Sequence, residues 1–225
     1  AIRPGYKSVS HRGYHNCILN FDGCRVPDAQ ILGEEGKGFE LMNTWLYATR
    51  LTVAATSVGR ARRVFDLAAE WAAGRKQFGQ PIGRFQGTSF KLADMATEID
   101  AADLLTLNGA WLLDQGLDAN RMIAQAKVFA TEMLARATDN AIQIFGGMGL
   151  MEETGIERFW RDARVERIHE DVDDREAGHV HAPARVDRDA VHPRERRVGE
   201  RADGVAALRG HLRRIKARME SEAKQ

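Results

Sequence analysis

Three long stretches with apolar side chains at helical spacing, each closed by glycine, constrain this chain more than any other feature. In the first, Leu41, Trp45, Ala48, Leu51, Ala55, Val58, Ala61, Phe65 and Ala68 form a stripe that predicts a helix over residues 39–73, stopped at Gly74. The second runs over residues 85–113, with Phe90, Ala93, Ala96, Ile99 and Leu104 expected inward, and closes at Gln115 and Gly116. The third covers residues 119–145, with Ile123, Ala126, Phe129, Met133, Ala137 and Ala141 inward, and ends at Gly146 and Gly147. A shorter fourth helix is expected over residues 157–168. Long helices joined by short turns predict a mainly α chain built on an antiparallel four-helix bundle.

The two ends of the chain differ from that middle. Residues 1–35 read as extended, with Cys17, Leu19 and Phe21 on one face and Pro4, Gly5, Gly13, Gly23 and Pro27 as punctuation. One or two strands make no stable sheet alone, so this segment reads as the end of a β domain, and Ala1 as a cut edge. After Asp171 no Phe, Trp or Tyr occurs again, and Arg, Asp, His, Ala, Gly and Pro dominate without a period. Residues 171–225 are therefore expected to be a disordered basic tail, with one basic amphipathic stretch around Leu208, Leu212, Ile215 and Met219.

Composition narrows the function classes. The formal net charge of +1 does not suit a chain that binds nucleic acid through its overall field. Two cysteines, Cys17 and Cys24, are too few for a disulfide framework. No apolar run approaches the ~20 residues of a membrane span, and no basic-then-apolar leader opens the sequence. A soluble protein of a reducing compartment is expected, bacterial cytoplasm or mitochondrial matrix. His179, His181 and His192 lack metal-site spacing, so no metal is assigned.

Four places carry polar groups that a bundle does not need for packing. Arg75, beside Gln77 and Phe78 and a Gly-x-Pro turn, can present its guanidinium fork to phosphate or carboxylate. The plainer alternative is an arginine that complements the end of a helix dipole. Gln143, Gly146 and Gly147 offer an amide and a backbone that a ligand can approach closely, or else simply a helix cap. Glu170 follows Arg161, Arg164 and Arg167; it is either a base in an apolar pocket or a partner in an ion-pair network. Thr49 and Arg50 lie among apolar neighbours of the first helix, where a charge needs a partner. Arg161 and Asp162 read as a structural ion pair.

In order and spacing these signatures resemble the acyl-CoA dehydrogenase family, continuously over residues 1–170. The matches are the strand and Val-Pro turn of residues 16–27, Leu32 to Phe39, the Arg-x-x-Phe-Gly-x-Pro-Ile run from Arg75 with Gln86, Lys91 to Met95, Gln143 to Gly147, and Arg161 to Arg164. The resemblance implies that residues 1–35 end the middle β domain and residues 36–170 form the C-terminal helical bundle. It implies FAD, held by Arg75, Gln77, Phe78, Phe85, Gln86, Gln143, Ile144, Phe145, Gly146 and Gly147 through its adenine dinucleotide part on a neighbouring subunit, hence a homodimer or homotetramer. It implies α,β-dehydrogenation of an acyl-CoA thioester with Glu170 as the base and Thr49 and Arg50 at the substrate. Electrons would pass to an electron-transfer flavoprotein or a similar acceptor.

The chain also departs from the family. Asp171 stands where a glycine is expected, and the following Thr/Ser run and last helix are absent. Asp171, Val172, Asp173 and Asp174 are what codons for Thr-Ser-Thr-Ile give when read one nucleotide out of frame, so a frameshift near Glu170 is expected, and the fragment is expected to be inactive alone. Two other functions fit the same residues: a flavin oxidase or monooxygenase on this scaffold, and a non-catalytic helical oligomerisation module.

Overall fold

The computed structural model of the protein describes residues 1–168. Glu170, the residues 171–225 tail, its histidines and the amphipathic stretch all lie outside the described residues.

Four helices follow a short β ribbon. Strand β1 (Ile2–Pro4) pairs antiparallel with β2 (Cys17–Leu19), with Arg3 opposite Ile18. Ile2, Leu19 and Phe21 on this ribbon are all exposed, as expected of two strands with no further sheet to cover them. Helix α1 (Gly38–Gly74) leads into a small hairpin, β3 (Lys76–Gln77) and β4 (Gln80–Pro81). Helices α2 (Gln86–Asp114) and α3 (Asn120–Phe145) follow, then two short 3-10 turns and α4 (Ile156–Glu166). All four predicted helices are present, with ends within about two residues of the expected ones, the usual margin for helix termini.

Helix α1 packs most extensively on α3. The seam is rich in alanine: Ala54, Ala61, Ala68 and Ala72 on α1, and Ala126, Ala130, Ala137 and Ala141 on α3, are all buried. Small side chains let two helix backbones approach closely. Met95, Ile99, Met133, Leu134 and Ile156 fill the volume between the helices, each large side chain contributing about 1.5–3 kcal/mol on burial. Gly109 of α2 fits the same logic, since a Cβ there would stand 3.4 Å from both Leu51 and Ile123.

The predicted inward faces need correction on two helices. On α3 every expected inward residue is buried or half-buried. On α1 the expected stripe is right from Val58 to Ala68, but Leu41, Trp45, Ala48 and Ala55 are exposed, and Leu46 and Ala54 point inward instead. On α2, Phe90, Ala93 and Leu104 are exposed, whereas Met95, Ile99, Ala102 and Thr106 are buried. The cause is the distribution of apolar residues on α2. Leu104, Leu107 and Trp111 make an outer apolar face, so periodicity alone does not single out the side that meets α1 and α3.

Candidate functional site

The site begins where α1 stops. The Arg75 N–H donates to the Trp71 carbonyl at 2.8 Å, and the Arg75 carbonyl accepts from Ile82 N–H at 2.8 Å. Both backbone groups of Arg75 are thus spent on closing the hairpin, while its side chain is exposed and makes no ion pair among the described residues. Gln77 and Gln80 face each other across the hairpin, with Phe78 and Gly79 as a two-residue tip at φ 51° and 80°. Both tip residues are in the left-handed region, the signature of a type I′ turn. Phe78 is 91% exposed there, with its ring in an edge contact to Phe85 at 6.1 Å.

The end of α3 faces this hairpin. Gly146 terminates the helix at φ 63°, ψ −142°, a conformation open only to glycine. The chain then tightens into a 3-10 turn from Gly146 to Leu150. Gly149 is required for that turn, because a Cβ would lie 2.7 Å from the Ile142 carbonyl oxygen. Gly147 differs: a Cβ there would meet nothing within 4 Å, so its backbone borders open space. Trp71 and Phe145 stack at 4.6 Å with their planes 12° apart, joining the ends of α1 and α3.

Between these two ends lies a cavity of about 540 Å³, within the ~300–1,000 Å³ usual for small-molecule clefts. Six of the ten residues expected at the cofactor line it: Arg75, Gln77, Ile144, Phe145, Gly146 and Gly147. Trp71, Ile82, Met148 and Met151 complete the wall. Phe78, Phe85, Gln86 and Gln143 do not line it; Phe78, Gln86 and Gln143 are exposed around it, and Phe85 is half-buried. Three wall residues, Trp71, Met148 and Met151, lie outside the motifs, and of these Trp71 had a usable signal. It precedes Arg75 by one helical turn and so shares its face.

The chemistry of this wall suits a phosphate-bearing group. A permanent cation, a side-chain amide and an uncovered glycine backbone are the donors a diphosphate needs. Apolar and aromatic surface beside them suits a flat base.

Thr49 and Arg50 lie elsewhere. Both are on α1, half-buried, and the Thr49 hydroxyl donates to the Trp45 carbonyl at 2.9 Å. Roughly 37 Å of helix separates Arg50 from Arg75 at ~1.5 Å per residue. One copy of the chain therefore holds these two sets of residues in separate places rather than in one cleft.

Helix α4, which leads towards Glu170 in sequence, is tied to the N-terminal segment. The His11 N–H donates to Asp162 Oδ1 at 2.8 Å, and the Arg161 guanidinium donates to the Val9 carbonyl at 2.8 Å. Glu166 is nearly buried, pairs with Arg60 and has His11 Nε2 at 3.9 Å. Arg161 pairs with Glu157 at 2.9 Å, so the expected Arg161–Asp162 pair is replaced by two different contacts. Adjacent helical positions point about 100° apart and reach different partners.

At the other end of the bundle, burial of Tyr47 raises its phenol above the ordinary value of 10.0, with the Asp118 carboxylate reinforcing the shift. Among the described residues, no helix is long and apolar enough to cross a membrane, and no cluster of three or more His, Cys, Asp or Glu could hold a metal ion.

Comparison with known proteins supplies the context for this geometry. Residues 36–178 match the family model of the acyl-CoA dehydrogenase C-terminal domain. A probable acyl-CoA dehydrogenase of Bacillus subtilis, YngJ, is 44% identical over 169 residues, covering 75% of this chain and 44% of its own length. Among solved structures, butyryl-CoA dehydrogenase from Megasphaera elsdenii matches with a TM-score of 0.71 and 37% identity over 75% of this chain and 44% of that one. PigA, solved with FAD and proline, matches at a TM-score of 0.69 and 26% identity over 79% of this chain and 49% of that one. The chain thus spans less than half the length of these proteins, and by sequence, bundle and family model alike it belongs to the acyl-CoA dehydrogenase family.

Proposed function

We propose that this chain is the helical-bundle portion of an FAD-dependent acyl-CoA dehydrogenase, with residues 1–35 as the end of its middle β domain. The observation that carries the reading is the cavity shared by Arg75, Gln77 and the Gly146–Gly147 turn. Two motifs far apart in sequence meet there, in surroundings fit for a diphosphate.

In this reading Arg75 neutralises the diphosphate of FAD. Gln77, Gln86 and Gln143 supply further hydrogen bonds, and the Gly146 and Gly147 backbone lets the dinucleotide approach closely. Phe78, Phe85, Ile144 and Phe145 give its adenosine part apolar surface. The FAD belongs to the active site of a neighbouring subunit, so the working form is a homodimer or homotetramer. That arrangement accounts for the distance between Arg75 and Arg50, since each end of α1 then serves a different active site.

Bound FAD supplies the acceptor for the β-hydrogen, taken as hydride. The chain supplies the other half of the reaction. Glu170 takes the α-proton, acidified by hydrogen bonds to the thioester carbonyl. Thr49 and Arg50 shape the acyl cavity. Asp171 places a second carboxylate next to Glu170 in sequence, and like charges raise a base's pKa; the nucleotide sequence decides whether a frameshift put it there. Electrons leave to an electron-transfer flavoprotein or a similar acceptor, in the bacterial cytoplasm or the mitochondrial matrix.

The test is a chimera that joins the preceding part of YngJ to this chain. It is expected to purify yellow, to bleach on adding an acyl-CoA, and to lose bleaching on Glu170→Gln. A yellow protein whose bleaching survives Glu170→Gln places the base elsewhere. A second reading, a flavin oxidase on the same scaffold, draws on the match to the prolyl acyl carrier protein oxidase AnaB, at a TM-score of 0.71 and 28% identity over 75% of this chain and 45% of that one; it predicts a yellow chimera that bleaches with another reductant but not with acyl-CoA.

A further inference from the structure

We infer that Trp71 is a further nucleotide-binding residue of this cavity, its indole N–H donating to a diphosphate oxygen of the bound dinucleotide. This rests on the flavin reading above and adds a residue that none of the motifs marks.

Three observations lead to it. Trp71 lines the cavity beside Arg75 and Gly147. Its ring is fixed by the stack on Phe145 at 4.6 Å. Its Nε1 is buried and has no hydrogen-bond partner among the described residues. A buried N–H without an acceptor is disfavoured and calls for an explanation. Packing alone does not supply one, since phenylalanine would stack on Phe145 without leaving a donor unpaired. The other buried polar atoms lacking partners include Ser57 Oγ and Glu157 Oε2, and neither residue lines the cavity.

Chemistry then fixes the kind of partner. Indole N–H only donates, so the partner is an acceptor. Trp71 lies one turn before Arg75, and on a helix that spacing puts the two on one face. An acceptor held by the Arg75 cation is therefore within the same patch, and diphosphate oxygens are the strongest acceptors the dinucleotide carries. The N–H is shielded from solvent in this structure, so an oxygen reaches it only as the cavity wall adjusts. Met148 and Met151 share that wall with Trp71, and unbranched methionine side chains repack readily.

The experiment uses the whole chain labelled with ¹⁵N. Its four tryptophans give four indole signals, and Trp71→Phe assigns the one of interest. Titration with ADP and with inorganic pyrophosphate is expected to move the Trp71 indole proton downfield and slow its exchange, while adenosine leaves it in place. Trp71→Phe is expected to weaken ADP binding about tenfold, the loss of one hydrogen bond to a charged group. ADP binding that leaves the Trp71 signal still, with unchanged affinity in Trp71→Phe, overturns the inference while the flavin reading stands. A shift with adenosine alone overturns the diphosphate assignment. If ADP does not bind the wild-type chain, the inference is overturned; if the YngJ chimera also purifies without FAD, the flavin reading falls with it. Should Trp71→Phe fail to fold, selective labelling of the wild-type tryptophans still decides from the shift.

Discussion

Replacing Phe78 by Asn should make the protein slightly more stable and worse at binding the dinucleotide proposed above. Phe78 holds φ 51° at the tip of a two-residue turn. A side chain other than glycine, Asn or Asp in that region costs about 1–2 kcal/mol, whereas Asn followed by Gly is the favoured pair for a type I′ turn. Against this stands the edge contact with Phe85 at 6.1 Å, a kind of pair worth about 0.5–1.5 kcal/mol. With Phe78 91% exposed, little area burial adds to it, and the lower end applies. The difference leaves Phe78→Asn more stable by about 0.5–1.5 kcal/mol. For a domain of this size that raises the melting temperature by about 1–6 °C. Thermal denaturation followed by far-ultraviolet circular dichroism measures it, with Phe78→Gly as a companion that relieves the same strain while freeing the unfolded chain. The other half of the prediction is functional. An aromatic ring that stacks on a base contributes roughly 1–3 kcal/mol, so ADP or FAD affinity should fall by tenfold or more. A melting temperature lowered by several degrees would refute the strain argument and make Phe78 a packing residue. Unchanged affinity would refute its role as a stacking surface.

Other expectations follow from neighbouring geometry. Gly149→Ala should destabilise by about 1–3 kcal/mol, because its Cβ would collide with the Ile142 carbonyl; Gly147→Ala should leave the melting temperature unchanged but reduce ADP affinity by calorimetry. Met133→Ala, at a site with no exposure, should lower stability by about 2–5 kcal/mol in urea denaturation. The raised Tyr47 phenol means that the folded state holds its proton to higher pH than the unfolded state does. Its contribution is therefore complete below pH ~10 and is lost as pH rises further; Tyr47→Phe should flatten that alkaline decline in melting temperature.

The sequence foretold some parts of this molecule far better than others, for physical reasons. The inward face of helix α3 was legible because its apolar residues gather on one side, although Lys127, Thr131 and Thr138 are buried with them and Val128 is exposed. Helix α2 was not, because Phe90, Leu104, Leu107 and Trp111 are as apolar as the residues that face the core, and only the positions of α1 and α3 decide between them. The front of α1 misled for a related reason: Leu41 and Trp45 keep helical spacing but lie outside the seam. At the cavity, Arg75 and the paired glycines stood out because each breaks a helical pattern. Met148 and Met151 did not, since a residue that merely walls a cleft looks like any other apolar residue until the two helix ends are brought together.

Helix α1, with Arg50 in its first half and Arg75 at its far end, carries one further consequence if its two ends serve different protomers. Defects introduced at opposite ends would then be separable by genetics. A population bearing only Arg75→Ala and one bearing only Arg50→Ala, each impaired alone, should regain turnover when co-expressed, since some mixed assemblies would contain one wholly intact centre and one doubly damaged one. Two lesions on the same polypeptide, mixed with unaltered chains, would instead spoil both centres of a hybrid pair.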